Sequence, residues 1–354
     1  MRQKLFIAII AILWVPMGLM GQTYSELWKQ VRDAQEIDLP QTAIGVLAKI
    51  EAKAMKEQAY GQLMKSALLS AKLQAEVAPD SMLNAVERLE AREQTAQDKG
   101  LTALAAVYDA VLAKVYQENH QITDDWEQRA NHYRALAKAH PEALAAVKAQ
   151  GYEPFVVKGD DSSLYGHDLL SVIGSELDEW AWLTDYYTKS GNRPAACLTA
   201  LNEWRIENGE LRIVQLDSLI ALYGDLPECG EVAMERYERM RDDRYTSAQK
   251  AEWLQTAINR WGSWRRANML KNAWSALINP QYTVEAPENV REVNKAQTVK
   301  LTGLRHLQSL TMKVWRTTLA GDTNLNPNSD KDYKKIKSGA QELKDKERTL
   351  TFTG

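Results

Sequence analysis

The sequence has little of what enzymes and metalloproteins use for their chemistry. It contains two cysteines and five histidines in 354 residues, and no two histidines lie at a metal-ligand spacing such as His-x-x-x-His. It has neither a Gly-x-Ser-x-Gly elbow nor a phosphate-binding glycine loop. We therefore predict that the chain is not an enzyme, and that it has no catalytic residues, no cofactor and no metal.

An excess of charge of one sign is also lacking. The formal net charge is −3 and the isoelectric point is about 6.1, so there is no electrostatic reason to expect a nucleic-acid partner. Phenylalanine is scarce, with three residues against eleven tryptophans and fourteen tyrosines. Trp and Tyr join an apolar ring to a polar atom, and this bias favours half-buried helix seams and interfaces.

Residues 1–21 have the layout of a cleavable secretory signal peptide. Arg2 and Lys4 precede an apolar run from Leu5 to Val15, and Gly21 offers a small residue for cleavage. The alternative is an uncleaved membrane anchor, but the run is shorter than the roughly 20 residues that a span needs. We expect export to the periplasm or the cell surface, with no stable membrane span after cleavage.

From Ser25 to about Ile278, almost every window has the apolar period of an amphipathic helix. Short breaks separate the runs, and short turns between such helices make antiparallel neighbours. Asp38 and Asp225 are predicted to cap helices that open with Pro40 and Pro227. The predicted helices cover 25–36, 40–57, 60–77, 80–97, 101–118, 123–138, 141–149, 165–189, 194–207, 210–223, 228–241, 246–260 and 263–278.

A faint internal repeat favours an array of helical hairpins of the tetratricopeptide (TPR-like) α-solenoid type. Trp28 lies twelve residues before Pro40, and Trp182 lies twelve before Pro194. A large residue on one helix and a proline that opens the next are typical of such hairpins. Gly191 is suited to ending the helix before Pro194. An irregular stretch from 151 to 166 connects two predicted helical subdomains, residues 22–150 and 151–278.

The pattern changes at Pro280 to the alternation of half-buried strands. We predict strands at 282–286, 298–302, 310–316 and 349–353, and a polar linker at 319–337. These strands are too few for a β-sandwich, which takes about seven. Residues 279–354 are therefore predicted to be a partial antiparallel β-sandwich, and the chain either a fragment of a longer protein or one whose sheet a partner completes.

Two cysteines and a group of aromatic residues are candidates for a role beyond simple packing. Cys197 and Cys229 lie in predicted helices, where they form either a disulfide, which export permits, or two buried thiols. Trp180, Trp182, Tyr186 and Tyr187 lie at helical spacing. They form either a packed seam between hairpins or a shelf on which a ligand such as a sugar stacks.

Two further groups have competing interpretations. A metal site formed by polar residues in and beside the irregular stretch competes with a polar loop that caps the next helix, and we expect the capping role; these residues are Asp160, Asp161, His167 and Asp168. Three tryptophans near the change from helix to strand suit either a ligand shelf or a buried hinge; these are Trp261, Trp264 and Trp274.

Four segments carry a resemblance to a known family; these are Tyr24–Val31, Asp38–Ala43, Leu164–Leu170 and Gly191–Ala196. Together they resemble the amino-terminal region of large bacterial alpha-2-macroglobulin family proteins. The change at Pro280 resembles the entry into that family's first macroglobulin-like β-sandwich. The four-residue sequence that starts at Cys229 has Val232 where the family's Cys-Gly-Glu-Gln thioester has glutamine, so no thioester is expected here.

The resemblance implies a long periplasmic or surface-exposed protein in which helices precede a string of β-sandwich domains. It implies a non-catalytic helical platform in the cell envelope, associated with endopeptidase inhibition. Its partners would be a protease or an envelope component and further β-domains of its own chain. The alternative is a self-sufficient exported TPR-like module that binds a peptide or a glycan, since helical arrays form extended binding surfaces.

Overall fold

The computed structural model describes residues 22–77, 82–207, 212–240, 244–285, 299–313, 315–317, 330–331, 334, 340–342 and 347–351. The predicted signal peptide at 1–21 and nearly all of the predicted linker at 319–337 lie outside these residues. None of the helices described is both long and apolar enough to cross a bilayer.

The chain is mainly helical, as the sequence predicts, and most predicted helices agree with the observed ones to within a few residues. The described residues form fourteen α-helices. They are α1 Tyr24–Glu36, α2 Pro40–Glu57, α3 Tyr60–Val77, α4 Met82–Asp98, α5 Thr102–Glu118, α6 Trp126–Ala137, α7 Pro141–Ala146, α8 Leu169–Glu176, α9 Trp180–Lys189, α10 Arg193–Glu207, α11 Ile213–Tyr223, α12 Cys229–Arg239, α13 Ser247–Trp261 and α14 Asn268–Ile278.

The prediction of one helix over 165–189 is wrong, because the chain turns sharply between α8 and α9. Asp178 has φ of 57°, a left-handed conformation that a short polar side chain tolerates and that a continuous helix cannot contain. The turn folds the two helices against each other. A side-chain carbon added at Gly174 of α8 would lie 2.5 Å from Leu183 of α9, so this close approach requires glycine.

Two predicted helix caps are also wrong. Asp38 has φ of 54° and lies in the turn after α1, while Leu39 precedes α2 with no side-chain cap. Asp225 accepts hydrogen bonds from Arg193 at 2.5 and 2.8 Å, and α12 begins only at Cys229. The third junction is confirmed, since Gly191 has φ of 76° and the proline that follows lies in the first turn of α10.

The helices pack mainly against their neighbours in sequence. Each helix from α1 to α5 packs on the one that follows it, and so does each helix from α7 to α10. Helix α5 makes additional contacts with α7 and α8. The first core cluster is built from one face of α1, one face of α2 and Leu73 of α3, with Val31, Leu47 and Ile50 fully buried. Such packing follows from the short turns between amphipathic helices.

The strand part is small and antiparallel. The described residues form six strands, which pair two by two as β1–β2, β3–β6 and β4–β5. The prediction of one strand over 310–316 is therefore wrong, because β3 and β4 have different partners. The apolar side chains Tyr282, Val284, Leu304 and Leu350 are 41–50 % exposed. The strands are β1 Gln281–Glu285, β2 Lys300–Arg305, β3 Ser309–Met312, β4 Trp315–Thr317, β5 Ala340–Glu342 and β6 Arg348–Thr351.

The contacts divide the chain into two compact units, one ending at Cys229 and the other beginning at Gly230. The predicted boundaries at 150 and 278 stay predictions. In the second unit Trp261 and Trp264 are buried and Trp274 is half-buried. A carbon added at Gly230 would lie 2.7 Å from the Trp264 ring, so Trp264 packs against helix α12 of that unit. Their role as a hinge to the strands stays a prediction.

Candidate functional site

A cleft of about 760 Å³ lies in the first unit between α5, the segment 155–165 and the α8–α9 hairpin. We call it the α5–α8 cleft. A volume of this size suits a small ligand or several side chains of a peptide. Its lining is mainly apolar, and its aliphatic and small residues are Leu68, Val107, Ala110, Val111, Val115, Val156, Val157, Leu169, Val172, Ile173 and Leu183.

One wall is a face of α5. Its residues Val107, Ala110 and Val111 recur with the period of one helix face, and α5 reaches α8 directly. Lys114, one turn further along, forms an ion pair with Glu176 of α8, with 3.5 Å between Nζ and Oε1. This pair connects the two walls at the rim, where screening by water makes it worth no more than about 1 kcal/mol.

The floor is the α8–α9 hairpin, which a buried polar contact holds in place. The Asp168 carboxylate caps α8 by accepting a hydrogen bond from the Ser171 backbone N–H at 2.8 Å. The Tyr187 hydroxyl of α9 donates to the same carboxylate, at 2.8 Å to Oδ2 and 3.0 Å to Oδ1. Burial raises the pKa of Asp168, and the hydrogen bonds from Ser171 and Tyr187 oppose that rise. The expected capping role of Asp168 is thus confirmed.

The other wall is the segment 155–165, which several contacts fix to the helices. The Lys148 ammonium donates to the Gly166 carbonyl at 2.6 Å, and the Asn192 amide donates to the Leu164 carbonyl at 2.8 Å. His167 Nδ1 lies 3.1 Å from the Ser162 hydroxyl. At the other end, the backbone N–H groups of Phe155 and Val156 donate to the Tyr152 carbonyl at 2.9 Å. The segment presents Phe155 and the residues after it to the cleft.

Trp180 lines the cleft and carries a buried hydrogen-bond donor. Its side chain lines the cleft, and its indole Nε1 is buried without an acceptor among the residues that the structure describes. A buried N–H with no acceptor is unfavourable by about 1–3 kcal/mol. A ligand with a carbonyl oxygen at this position would satisfy it.

The four predicted aromatic residues do not form one surface. Tyr187 is buried beneath the cleft and packs against Tyr165, with ring centroids 5.5 Å apart. Tyr186 packs edge-on against Tyr187. Trp182 is half-buried and is not among the residues of the cleft. The aromatic run therefore contributes one residue, Trp180, to the cleft and one, Tyr187, to the core below it.

The acidic residues singled out in the sequence have different positions. Asp160 and Asp161 line the α5–α8 cleft, whereas Asp168 is buried as a helix cap. Within the described part of the chain, no group of three or more His, Cys, Asp or Glu residues is placed to hold a metal ion. Together with Glu118 and Glu176 at the rim, the aspartates give the entrance an acidic character.

Cys197 and Cys229 are free in the structure and fully buried. Their side chains lie within hydrogen-bonding reach of each other, and this contact together with burial raises the pKa of the Cys197 thiol. The structure thus brings the two predicted cysteines together as thiols, and the disulfide stays a prediction.

Sequence reasoning did not identify the cleft itself. Its α5 wall has the apolar period of any packed helix, so the pattern does not distinguish a core face from a binding face. A usable signal was Phe155-Val156-Val157, an apolar run inside an otherwise polar connection. An apolar run in a loop that is anchored at both ends indicates a surface built for contact.

Comparisons with known proteins identify no family. No family model matches the chain, and no curated protein and no solved structure shows significant similarity to it.

Proposed function

We propose that the chain is a non-catalytic binding module whose α5–α8 cleft holds apolar side chains of an extended peptide segment from a partner protein. The observation that carries this proposal is the apolar cleft with the unpaired Trp180 indole N–H at its wall. A peptide supplies apolar side chains that match the lining and backbone carbonyl oxygens that can accept from the indole N–H.

The chemistry of the lining supports a peptide over a glycan. Sugars are held by aromatic faces with dense hydrogen bonding, whereas eleven of the twenty-four lining residues here are Val, Leu, Ile or Ala and three are aromatic. The acidic rim, with Asp160, Asp161 and Glu118, favours a segment that carries a basic residue beside its apolar ones. A TPR-like array would present such a concave surface, and export by residues 1–21 would make the partner a periplasmic or surface protein.

The proposal is tested by selecting peptides against the purified chain from a random display library and mapping the bound peptide by hydrogen exchange. We expect selected peptides to share two or more apolar residues. We also expect slower exchange in α5, α8, α9 and 155–165. Selection of no peptide, or protection confined to other helices, would refute the proposal. Binding of the same protein to a glycan array, measured in parallel, tests the competing class of ligand.

A second candidate function is the helical platform of an alpha-2-macroglobulin-like envelope protein associated with endopeptidase inhibition. What favours it is the strand part, where Tyr282, Val284 and Leu350 remain 46–50 % exposed. Strand side chains of this kind suit burial against further β-domains. Limited proteolysis of 22–354 beside 22–278 tests it. Rapid loss of the strands, with an intact helical product, supports the platform, and full protection of 281–351 opposes it.

A further inference from the structure

Two carboxylates are buried side by side where α4 packs on α5. Asp109 is 3 % exposed and Glu93 is 5 % exposed. Buried charges are normally paired, because removing an ion from water without a partner is very unfavourable. Yet Asp109 Oδ1 and Glu93 Oε1 have no hydrogen-bond donor among the residues that the structure describes.

Asp109 borders a cavity of about 340 Å³ that is separate from the α5–α8 cleft. We call it the Asp109 cavity. Its walls are short apolar side chains of α5 and α6, including Ala105, Ala106 and Leu136. Exposed polar residues, Gln97 among them, lie at its edge. The cavity therefore places a buried carboxylate beside a wall of alanine and leucine and a polar edge.

We propose that the Asp109 cavity binds a primary alkylammonium group, whose methylene chain lies along the alanine and leucine walls and whose ammonium donates to Asp109. A buried carboxylate beside alanine and leucine side chains suits a cation at the end of a hydrocarbon stem. The ammonium provides both the positive charge and the hydrogen bond that Asp109 Oδ1 lacks. The same chemistry occurs in a free alkylamine and in a lysine side chain.

A metal ion is a poorer match for this cavity. Ca²⁺ and Mg²⁺ require six or more oxygen ligands, or several retained waters, and the described residues contain no group of three or more acidic, His or Cys side chains placed for a metal. Alanine and leucine walls also offer no hydrogen bonds to a hydrated ion.

A proton is the competing occupant of Asp109. Burial, and then the charge of Glu93, raise the pKa of Asp109 to about 8. The other titratable groups near the pair are Glu90 and Asp98 on α4, His132 on α6 and His140 before α7. Since Asp109 is mostly protonated at pH 7, an ammonium that binds there displaces a proton. Its affinity should rise about tenfold from pH 7 to pH 9, as the carboxyl ionises.

Calorimetric titration of the whole chain tests this proposal. The probes are pentylammonium chloride, Nα-acetyl-lysine methylamide and the neutral 1-pentanol, each in two buffers of different ionisation enthalpy at pH 7. We expect an ammonium probe to bind with release of close to one proton, and to bind about tenfold more tightly at pH 9. Binding of the lysine derivative assigns the site to a peptide side chain, and binding of pentylammonium alone assigns it to a free amine.

Asp109→Asn keeps the shape of the side chain and should abolish binding of the ammonium probe. Its matched control is Asp98→Asn, which makes the same substitution at an exposed position of α4. Three results would overturn the proposal: no binding of either ammonium probe, equal binding of pentanol, or unchanged affinity in Asp109→Asn. Proton release by the unmodified chain remains decisive even if the Asp109 variant does not fold.

Discussion

The Tyr187 hydroxyl donates to both oxygens of the Asp168 carboxylate, which also caps α8 through the Ser171 N–H. One buried carboxylate thus fixes the start of α8 and the middle of α9, the two helices that form the floor of the α5–α8 cleft. The geometry of the cleft depends on this contact, although neither side chain is among the residues lining it.

Tyr187→Phe should lower the free energy of unfolding by about 1–3 kcal/mol, because it leaves the buried Asp168 carboxylate short of one donor. Tyr186→Phe is the matched control, since it removes the same atom from the half-buried neighbouring ring and should change stability by less than about 0.5 kcal/mol. Urea unfolding followed by circular dichroism measures both. Equal loss in the two variants would mean that the contact with Asp168 is not stabilising.

Gly174→Ala should destabilise the α8–α9 hairpin by about 1–3 kcal/mol, because the added carbon would lie 2.5 Å from Leu183 and the helices would have to separate. At Gly45 of α2 the same substitution meets open space, and it should stabilise the helix by up to about 1 kcal/mol. Thermal unfolding of the two variants should therefore shift in opposite directions. A shift in the same direction would contradict the packing described.

Asp109 should make the chain less stable as the pH rises. Its folded-state pKa is raised from 3.8 to about 8, so its contribution to stability is fully present below pH 4 and is lost progressively towards pH 8. The side chain of Asp109→Asn does not titrate. At pH 8 the free energy of unfolding of this variant should therefore exceed that of the unmodified chain by about 1 kcal/mol or more. Urea unfolding at pH 5 and pH 8 gives the comparison. A difference that does not change with pH would exclude a raised pKa.

Cys197 and Cys229 should be unreactive in the folded chain and fully reactive once it unfolds. Both side chains are buried and the pKa of Cys197 is raised, so the reactive thiolate is scarce. A chromogenic disulfide reagent should therefore detect almost no thiol under native conditions and two thiols in denaturant. No thiol in denaturant would instead establish the disulfide.

Helix positions were predictable where periodicity and proline agree. The bounds predicted for α2 and α3 are those observed, because Pro40 and the turn after Glu57 interrupt clear apolar periods. The break between α8 and α9 was not predictable, since Asp178 takes a left-handed conformation without any gap in the apolar pattern. The β4–β5 pairing was also not predicted, because it joins strands that lie far apart in the sequence.

The sites were harder to predict than the elements. Trp180 and Tyr187 were both singled out by their spacing, but only tertiary contacts separate a residue that lines the cleft from one buried below it. Asp109 carried a signal that was missed. It interrupts the apolar run of α5 between Tyr108 and Ala110, and a charged residue inside an apolar helix face often has a function.

Trp180→Phe should weaken binding of a selected peptide about threefold to tenfold, because the hydrogen bond from the indole N–H is lost while the aromatic surface remains. Trp182→Phe makes the same change beside the cleft but outside its lining, and should leave the affinity within about twofold. Fluorescence anisotropy of a labelled peptide measures both. Equal affinities in the two variants would mean that the Trp180 N–H makes no contact with the peptide.

Filling the α5–α8 cleft tests the proposed peptide binding most directly. Val111→Trp places a large side chain in the cleft, and Val214→Trp places the same side chain at an exposed position of α11. Anisotropy titration of a selected peptide should show at least about tenfold weaker binding to Val111→Trp and unchanged binding to Val214→Trp, with both variants folded by circular dichroism. Unchanged affinity in a folded Val111→Trp variant would show that the peptide binds elsewhere.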